Sequence, residues 1–125
     1  MEKLPLGTKC KGMKNTITWN DFEKLDIRVG TIIEVSDFPK ARKPAWRLKI
    51  DFGTGVGIKQ SSAQIRKYYS SDDLLGSQVL AVINFPPKQI ADFMSGCLVL
   101  GVYDGNNDVI LIQPRNPVAN GQPVG

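Results

Sequence analysis

The chain has 125 residues, of which 42% are hydrophobic and 22% are charged, and its formal net charge is +4. This length suits a single domain with one hydrophobic core and leaves no room for a second, catalytic domain. The chain has no histidine and only two cysteines, which excludes zinc sites built from those residues and catalytic groups that need an imidazole. We therefore expect a protein without a metal, a cofactor or an enzymatic activity.

The first residues differ from the rest in composition. Within residues 1–12, three lysines against one glutamate supply +2 of the net charge. We interpret residues 1–14 as a disordered leader and residues 15–125 as one domain. The start lacks the apolar stretch of a secretory signal, and no apolar run approaches the roughly 20 residues that span a bilayer. A cytoplasmic protein without membrane insertion is expected.

A short helix is predicted within residues 16–25. Thr18 and Asp21 have the spacing of a capping box, which satisfies free backbone groups at a helix start. Trp19, Phe22 and Leu25 follow at every third position and fall on one face of such a helix. That apolar face suits packing against the end of a barrel or against a second subunit.

The next stretch predicts a β-hairpin with a basic loop. Residues 27–35 are rich in β-branched side chains and predict a strand, in which Gly30 marks a bulge or bend. Residues 46–52 alternate strictly between apolar and charged side chains, which predicts a half-buried strand. Residues 38–49 contain no acidic side chain and five basic ones, which are Lys40, Arg42, Lys43, Arg47 and Lys49.

The middle of the chain predicts a turn, a strand and helical residues. The glycine-rich residues 53–57 lack the Lys-Ser/Thr of a phosphate-binding loop and predict a hairpin turn. A third strand is predicted over residues 56–60, and residues 61–69 are polar and compatible with a helix. Residues 71–76 predict a capped helical turn that ends at a glycine.

The C-terminal part predicts strands separated by a loop. Residues 78–85 and 97–103 read as the fourth and fifth strands, with a loop over 88–96 between them, and an added strand follows at 109–113. Cys97 begins an apolar run and is interpreted as a core residue without a disulfide to Cys10. The predicted fold class is all-β. It is a five-stranded OB-fold barrel with a short N-terminal helix, a helix between strands three and four, and a C-terminal strand extension.

Several segments resemble the family of free-standing tRNA-binding domains, which is related to modules appended to some aminoacyl-tRNA synthetases. These segments are LDIRVG (25–30), NFPPK (84–88) and SGCLVL (95–100). Residues 22–28, 50–53 and 57–65 are similar to the CsaA type within that family, a bacterial and archaeal group named as export-related chaperones. The resemblance implies an OB-fold homodimer that binds tRNA or unfolded export clients.

The chain departs from the synthetase-linked modules in one segment. Many of those modules carry His-Pro-x-Ala-Asp-Lys-Leu after the first strand, whereas residues 38–46 here read FPKARKPAW. The shared RNA-contact pattern is therefore missing, although the positive charge is retained.

Barrels of this type bind RNA by combining cationic grooves with aromatic or polar platforms. We therefore interpret the chain as a tRNA-binding protein that contacts the phosphate backbone through basic loops. The candidate RNA-binding residues are Lys40, Arg42, Lys43, Trp46, Arg47, Lys49, Lys59, Gln60, Ser61, Ser62, Gln64, Asn84 and Lys88.

Alternatives remain open for several of these residues. Trp46 either stacks on a base or lies buried in register with Leu48 and Ile50. The polar residues 59–64 either contact RNA or cap a helix, and Asn84 either contacts RNA or stabilises a turn. The competing function is a protein-export chaperone that captures unfolded client segments through the apolar side chains Ile90, Phe93 and Met94, which buried packing explains equally well.

Overall fold

The computed structural model describes residues 12–125, and the expectations for residues 1–11, including those for Cys10, lie outside the described residues. The elements in chain order are α1 (Trp19–Glu23), β1 (Ile27–Asp37), β2 (Trp46–Asp51), β3 (Ile58–Ala63), α2 (Ser71–Leu74), β4 (Gln78–Val82), β5 (Lys88–Ile90), β6 (Phe93–Ser95), β7 (Leu98–Val99), β8 (Gly101–Tyr103) and β9 (Val109–Leu111). Within residues 12–125, no helix has the length or the apolar composition to cross a bilayer.

Five of these strands form an antiparallel sheet in the order β3-β2-β1-β4-β7. The backbone N–H of Gly96, just before β7, donates to the Gln60 carbonyl of β3 at 2.8 Å, so the sheet curls into a nearly closed barrel. Two hairpins, β5–β6 and β8–β9, are added to it. The prediction of a five-stranded OB-fold barrel with two short helices and a C-terminal strand extension is confirmed.

The capping box predicted at the start of α1 is present. The Thr18 hydroxyl accepts a hydrogen bond from the Asp21 N–H at 3.2 Å, and the Asp21 carboxylate accepts one from the Thr18 N–H at 3.1 Å. The Thr18 backbone contact is the main reason why the pKa of Asp21 lies below its usual value. The two reciprocal bonds explain why a helix of only five residues begins at Trp19.

The bend of β1 has two causes at neighbouring positions. Gly30 leaves no space for a side chain, because an added Cβ would lie 2.5 Å from Cγ2 of Ile50 and 2.8 Å from the Phe52 ring. The bulge itself lies at Ile33, where the pairing with β2 shifts by one residue. Gly30 and Ile32, which precede the bulge, face the core, and Val35, which follows the bulge, packs against the core. Of the two roles that the sequence indicated for Gly30, the structure favours the bend, and the bulge lies three residues further along β1.

Three further expectations for secondary structure differ from the structure. Residues 61–63, interpreted as polar and compatible with a helix, belong to β3, because pairing with β2 overrides this local preference. Residues 88–96, predicted as a loop, contain the β5–β6 hairpin, whose turn includes Ala91 at φ 53°. The predicted fifth strand is interrupted at Leu100, whose N–H donates to Leu80 while its carbonyl accepts from Ile112.

The apolar side chains form two separate clusters. The larger cluster fills the barrel and includes Ile32, Leu48 and Phe52, and Cys97 belongs to it as predicted. Burial raises the pKa of the Cys97 thiol to about 11, so the thiol stays protonated at neutral pH. The smaller cluster consists of Phe38, Ala45 and Phe93 and lies outside the barrel, beneath the loop between β1 and β2.

Candidate nucleic-acid interface

The outward side of β1, β2 and β3 carries a continuous polar surface. The register of the strands places Arg47 between Ser36 and Ser62, and it places Lys49 between Glu34 and Gln60. The alternation of β2 explains this arrangement, because Leu48 and Ile50 are directed into the core. We refer to this surface as the outer face, and its residues are Glu34, Ser36, Arg47, Lys49, Gln60 and Ser62.

The loop of residues 38–45, which we call the basic loop, projects beside the outer face. Lys40 is paired with Asp92 of the β5–β6 turn, with 3.0 Å between Nζ and Oδ2, and this contact is the main reason why the pKa of Asp92 is lowered. Arg42 and Lys43 are exposed, and neither forms an ion pair with any residue of 12–125. Within the described residues, no carboxylate thus competes with an external anion for these two cations.

The basic loop is anchored by the smaller apolar cluster. The rings of Phe38 and Phe93 lie 5.4 Å apart at 58°, a tilted geometry that aromatic pairs favour. The Arg47 guanidinium lies 5.6 Å from the centre of the Phe38 ring, and its Nε donates to the Asp37 carbonyl at 2.9 Å. The loop is consequently held against the β5–β6 hairpin.

Trp46 is committed to contacts within the protein. Its indole N–H donates to the Tyr69 carbonyl at 3.0 Å, and its ring packs against the core. The Arg66 guanidinium lies 4.0 Å above the same ring and forms an ion pair with Asp37. These contacts favour the buried alternative over base stacking. Sequence reasoning missed Arg66, because only the turn after β3 brings it to Trp46.

The candidate residues of β3 fall on both sides of the strand. Ser61 is only 1% exposed and its hydroxyl donates to the Ser62 carbonyl, so Ser61 is unavailable to RNA and its assignment is corrected. Lys59 is partly buried on the same side as Ser61. Gln60 is on the outer face, where its amide donates to the Met94 carbonyl at 3.0 Å.

A groove of about 680 Å³ runs between β3 and the later strands, and we call it the seam groove. Four candidate residues line it, which are the buried Ser61 together with Ser62, Gln64 and Lys88. The apolar side chains of Phe85 and Tyr103 also line it and are largely exposed. The seam groove therefore offers both polar and apolar contacts.

Asn84 does not lie with the other candidate residues. Its side-chain carbonyl accepts from the Asp26 N–H at 3.0 Å, and its amide donates to the Lys24 carbonyl at 2.8 Å. Both halves of the amide thus fix the connection between α1 and β1. This geometry favours the turn-stabilising alternative.

The sequence of the residues that form the barrel matches a known protein family. Residues 27–123 match the family described as "Putative tRNA binding domain". The chain belongs to this family. The sequence resemblance to tRNA-binding domains is thereby confirmed, and relatives within the family define the type more closely.

Two solved structures resemble this tRNA-binding domain over their entire length. The crystal structure of the chaperone CsaA from Bacillus anthracis has a TM-score of 0.84 and 48% identity and covers 89% of this chain and 100% of that chain. The CsaA chaperone from Picrophilus torridus has a TM-score of 0.83 and 52% identity, and the shares covered are 88% and 100%. The domain is therefore of the CsaA type.

Synthetases contain a related module. The methionine–tRNA ligase of Thermococcus onnurineus is 39% identical over 110 residues, which cover 88% of this chain and 14% of the ligase. The chain thus spans about one seventh of the length of that curated relative.

Proposed function

We propose that this CsaA-type domain binds tRNA and contacts its phosphate backbone through the basic loop. The position of Arg42 and Lys43 carries the proposal, because both side chains are exposed beside the outer face without an internal ion pair in the described chain. A cation of this kind binds phosphate without first breaking a salt bridge. Family membership supports tRNA as the ligand.

The other basic residues contribute in different ways. Lys40 and Lys49 are paired with Asp92 and Glu34, so phosphate binding would have to replace those carboxylates. Lys88 is exposed on β5 and lines the seam groove, where it extends the cationic surface away from the basic loop. We propose Arg42, Lys43 and Lys88 as the main phosphate contacts.

A salt titration tests the proposal. The logarithm of tRNA affinity, measured by fluorescence anisotropy, is expected to fall linearly with the logarithm of salt concentration, because bound phosphates release their counterions. A steep slope at constant pH supports backbone contacts. The absence of salt-sensitive tRNA binding at low ionic strength would contradict the proposal.

We also propose that the protein is a homodimer. Trp19 of α1 is 89% exposed, and Phe22, Leu25 and Val124 are exposed around the same groove of about 730 Å³. An apolar patch of this kind is uncommon on a monomer and typical of an interaction site. The C-terminal residues form one wall of this groove, because the Val124 N–H donates to the Ile27 carbonyl of β1 at 2.9 Å.

Trp19→Glu is expected to convert the dimer into a monomer, because it replaces the most exposed apolar side chain of this groove by a charge. Light scattering at micromolar concentration measures the mass, and circular dichroism checks that the barrel is retained. Tyr103→Glu is the matched control, since Tyr103 is an exposed aromatic residue that does not line this groove. A wild-type mass of one chain would contradict the dimer.

The alternative function is an export chaperone that binds unfolded client segments. The apolar lining of the seam groove favours it, whereas Phe93 is buried in the smaller cluster and is unavailable to a client. Competition between an extended apolar peptide and tRNA tests whether one surface binds both. Independent binding would contradict a shared site.

For either ligand, we propose that residues 15–125 act as a single, non-catalytic binding domain in the cytoplasm.

A further inference from the structure

A pocket of about 250 Å³ on the outer face contains a carboxylate that phosphate binding does not explain. Glu34, Arg47, Lys49, Gln60 and Phe93 are among the residues that line it. A negative charge at this position opposes binding of an RNA backbone and lowers the positive potential of the surface. The carboxylate therefore suits a contact with a hydrogen-bond donor of a nucleotide, such as an N–H group of a base, better than a contact with its phosphate.

The carboxylate of Glu34 and the ammonium of Lys49 are neighbours at this pocket. Lys49 Nζ lies 3.5 Å from Oε2 of Glu34, and the two residues are direct partners across β1 and β2. Among residues 12–125, no other backbone or side-chain donor bonds to this carboxylate. The pair thus offers one donor group, the Lys49 ammonium, beside two carboxylate oxygens that have capacity for further hydrogen bonds.

One nucleobase has the complementary set of groups. The Watson–Crick edge of guanine presents O6, which accepts, followed by N1–H and the N2 amino group, which donate. Adenine, cytosine and uracil lack two adjacent donors on this edge. A carboxylate that accepts from two parallel N–H groups forms a bidentate contact, which is stronger and more directional than a single bond.

Neighbouring side chains provide the remaining contacts for a flat ring. The Arg47 guanidinium is fixed by the Asp37 carbonyl and the Phe38 ring, and bases in RNA complexes stack on such guanidinium planes. Gln60 also lines the pocket, and its amide N–H donates to the Met94 carbonyl, so among residues 12–125 its side-chain oxygen has no hydrogen-bond donor. The pocket is accordingly built for a polar planar group.

We propose that this pocket binds one unpaired guanine of the RNA ligand, with Glu34 accepting from N1–H and the N2 amino group and Lys49 donating to O6. The inference rests on the proposed RNA binding and adds base selectivity to it. Sequence-specific recognition of RNA commonly uses such unpaired bases. The phosphate contacts of Arg42 and Lys43 remain independent of the base.

Binding of short single-stranded RNAs to the wild-type protein tests the pocket. Each RNA contains four uridines around a central nucleoside, which is guanosine, inosine, adenosine or uridine. Fluorescence anisotropy at low salt measures the affinity of the protein for each RNA. Inosine keeps O6 and N1–H but lacks the N2 amino group. Guanine is expected to bind about fivefold or more tightly than inosine, the lower end of the discrimination that a bidentate contact gives.

Glu34→Gln tests the role of the carboxylate, because its amide has only one acceptor oxygen. This variant is expected to lose the preference for guanine over inosine while its general affinity for RNA rises slightly. Asp72→Asn is the matched control, since it removes the same charge from an exposed side chain of α2. The control is expected to keep the preference.

The outcomes separate the pocket from the proposed function. Salt-sensitive binding of tRNA together with equal affinities for guanine and inosine would overturn the pocket and leave tRNA binding intact. Retention of the guanine preference in Glu34→Gln would also overturn the assignment. A complete lack of RNA binding by the folded wild-type protein would overturn both proposals. The wild-type comparison stands even if the variant is unstable.

Discussion

Replacement of both Arg42 and Lys43 by alanine is expected to weaken tRNA binding by roughly tenfold or more at about 50 mM salt. The slope of log affinity against log salt is expected to become shallower by up to about two units, because two phosphate contacts are lost. Both side chains are exposed and lack ion pairs within the described chain, so the fold is expected to be unaffected. Anisotropy titrations across a salt series provide the measurement.

The control for this double variant removes the same charge elsewhere. Lys14 and Arg115 are exposed, lie outside the basic loop and make no ion pair in the part of the chain that the structure describes. Their joint replacement by alanine is expected to change the slope by much less. Equal effects of the two double variants would show that net charge, and not the basic loop, determines affinity.

Phe38→Ala is expected to release the basic loop from the β5–β6 hairpin. The Phe38 side chain is 3% exposed, and its loss removes the contact with Phe93 and the surface beneath Arg47. Truncation of a buried phenylalanine costs about 3 kcal/mol or more. Because the smaller cluster is separate from the barrel core, we expect local opening of residues 38–45 and weaker tRNA binding, with the barrel retained.

Hydrogen exchange of the amides in residues 38–45 and 88–95 measures this opening directly. Leu75→Ala is the control, because Leu75 is 55% exposed and belongs neither to the smaller cluster nor to the lining of the seam groove. A double variant with Phe93→Ala should be less destabilised than the sum of the single variants, since both remove one contact. Unchanged exchange in Phe38→Ala would contradict the anchoring role.

Local patterns sufficed for the features that depend on neighbouring residues. The alternation along residues 46–52 predicted β2 and the outward position of Arg47, and the spacing of Thr18 and Asp21 predicted the start of α1. The β5–β6 hairpin was missed, because its turn uses an alanine with positive φ and no glycine or asparagine. The sequence therefore lacks the glycine or asparagine that usually indicates a turn with positive φ.

The missed parts of the candidate site depend on contacts between distant residues. Asn84 bonds to the segment before β1, which is 58 positions away, and no local pattern could separate this role from a contact with RNA. Arg66 reaches Asp37 and Trp46 only after the strands have paired. The pairing of Glu34 with Lys49 likewise requires the exact register of β1 and β2.

The bulge at Ile33 reverses the alternation of inward and outward side chains along β1. Without it, Glu34 would pair with Leu48 and would be directed into the apolar interior, whereas Val35 would lie outside. One unpaired residue therefore lets the first half of the strand satisfy the core and the second half supply a carboxylate to the surface. Before the bulge the even-numbered residue Ile32 faces the core, whereas after it the odd-numbered residue Val35 does. The even-numbered positions after the bulge are therefore on the outer face, where a substitution can alter ligand binding without altering the packing of the core.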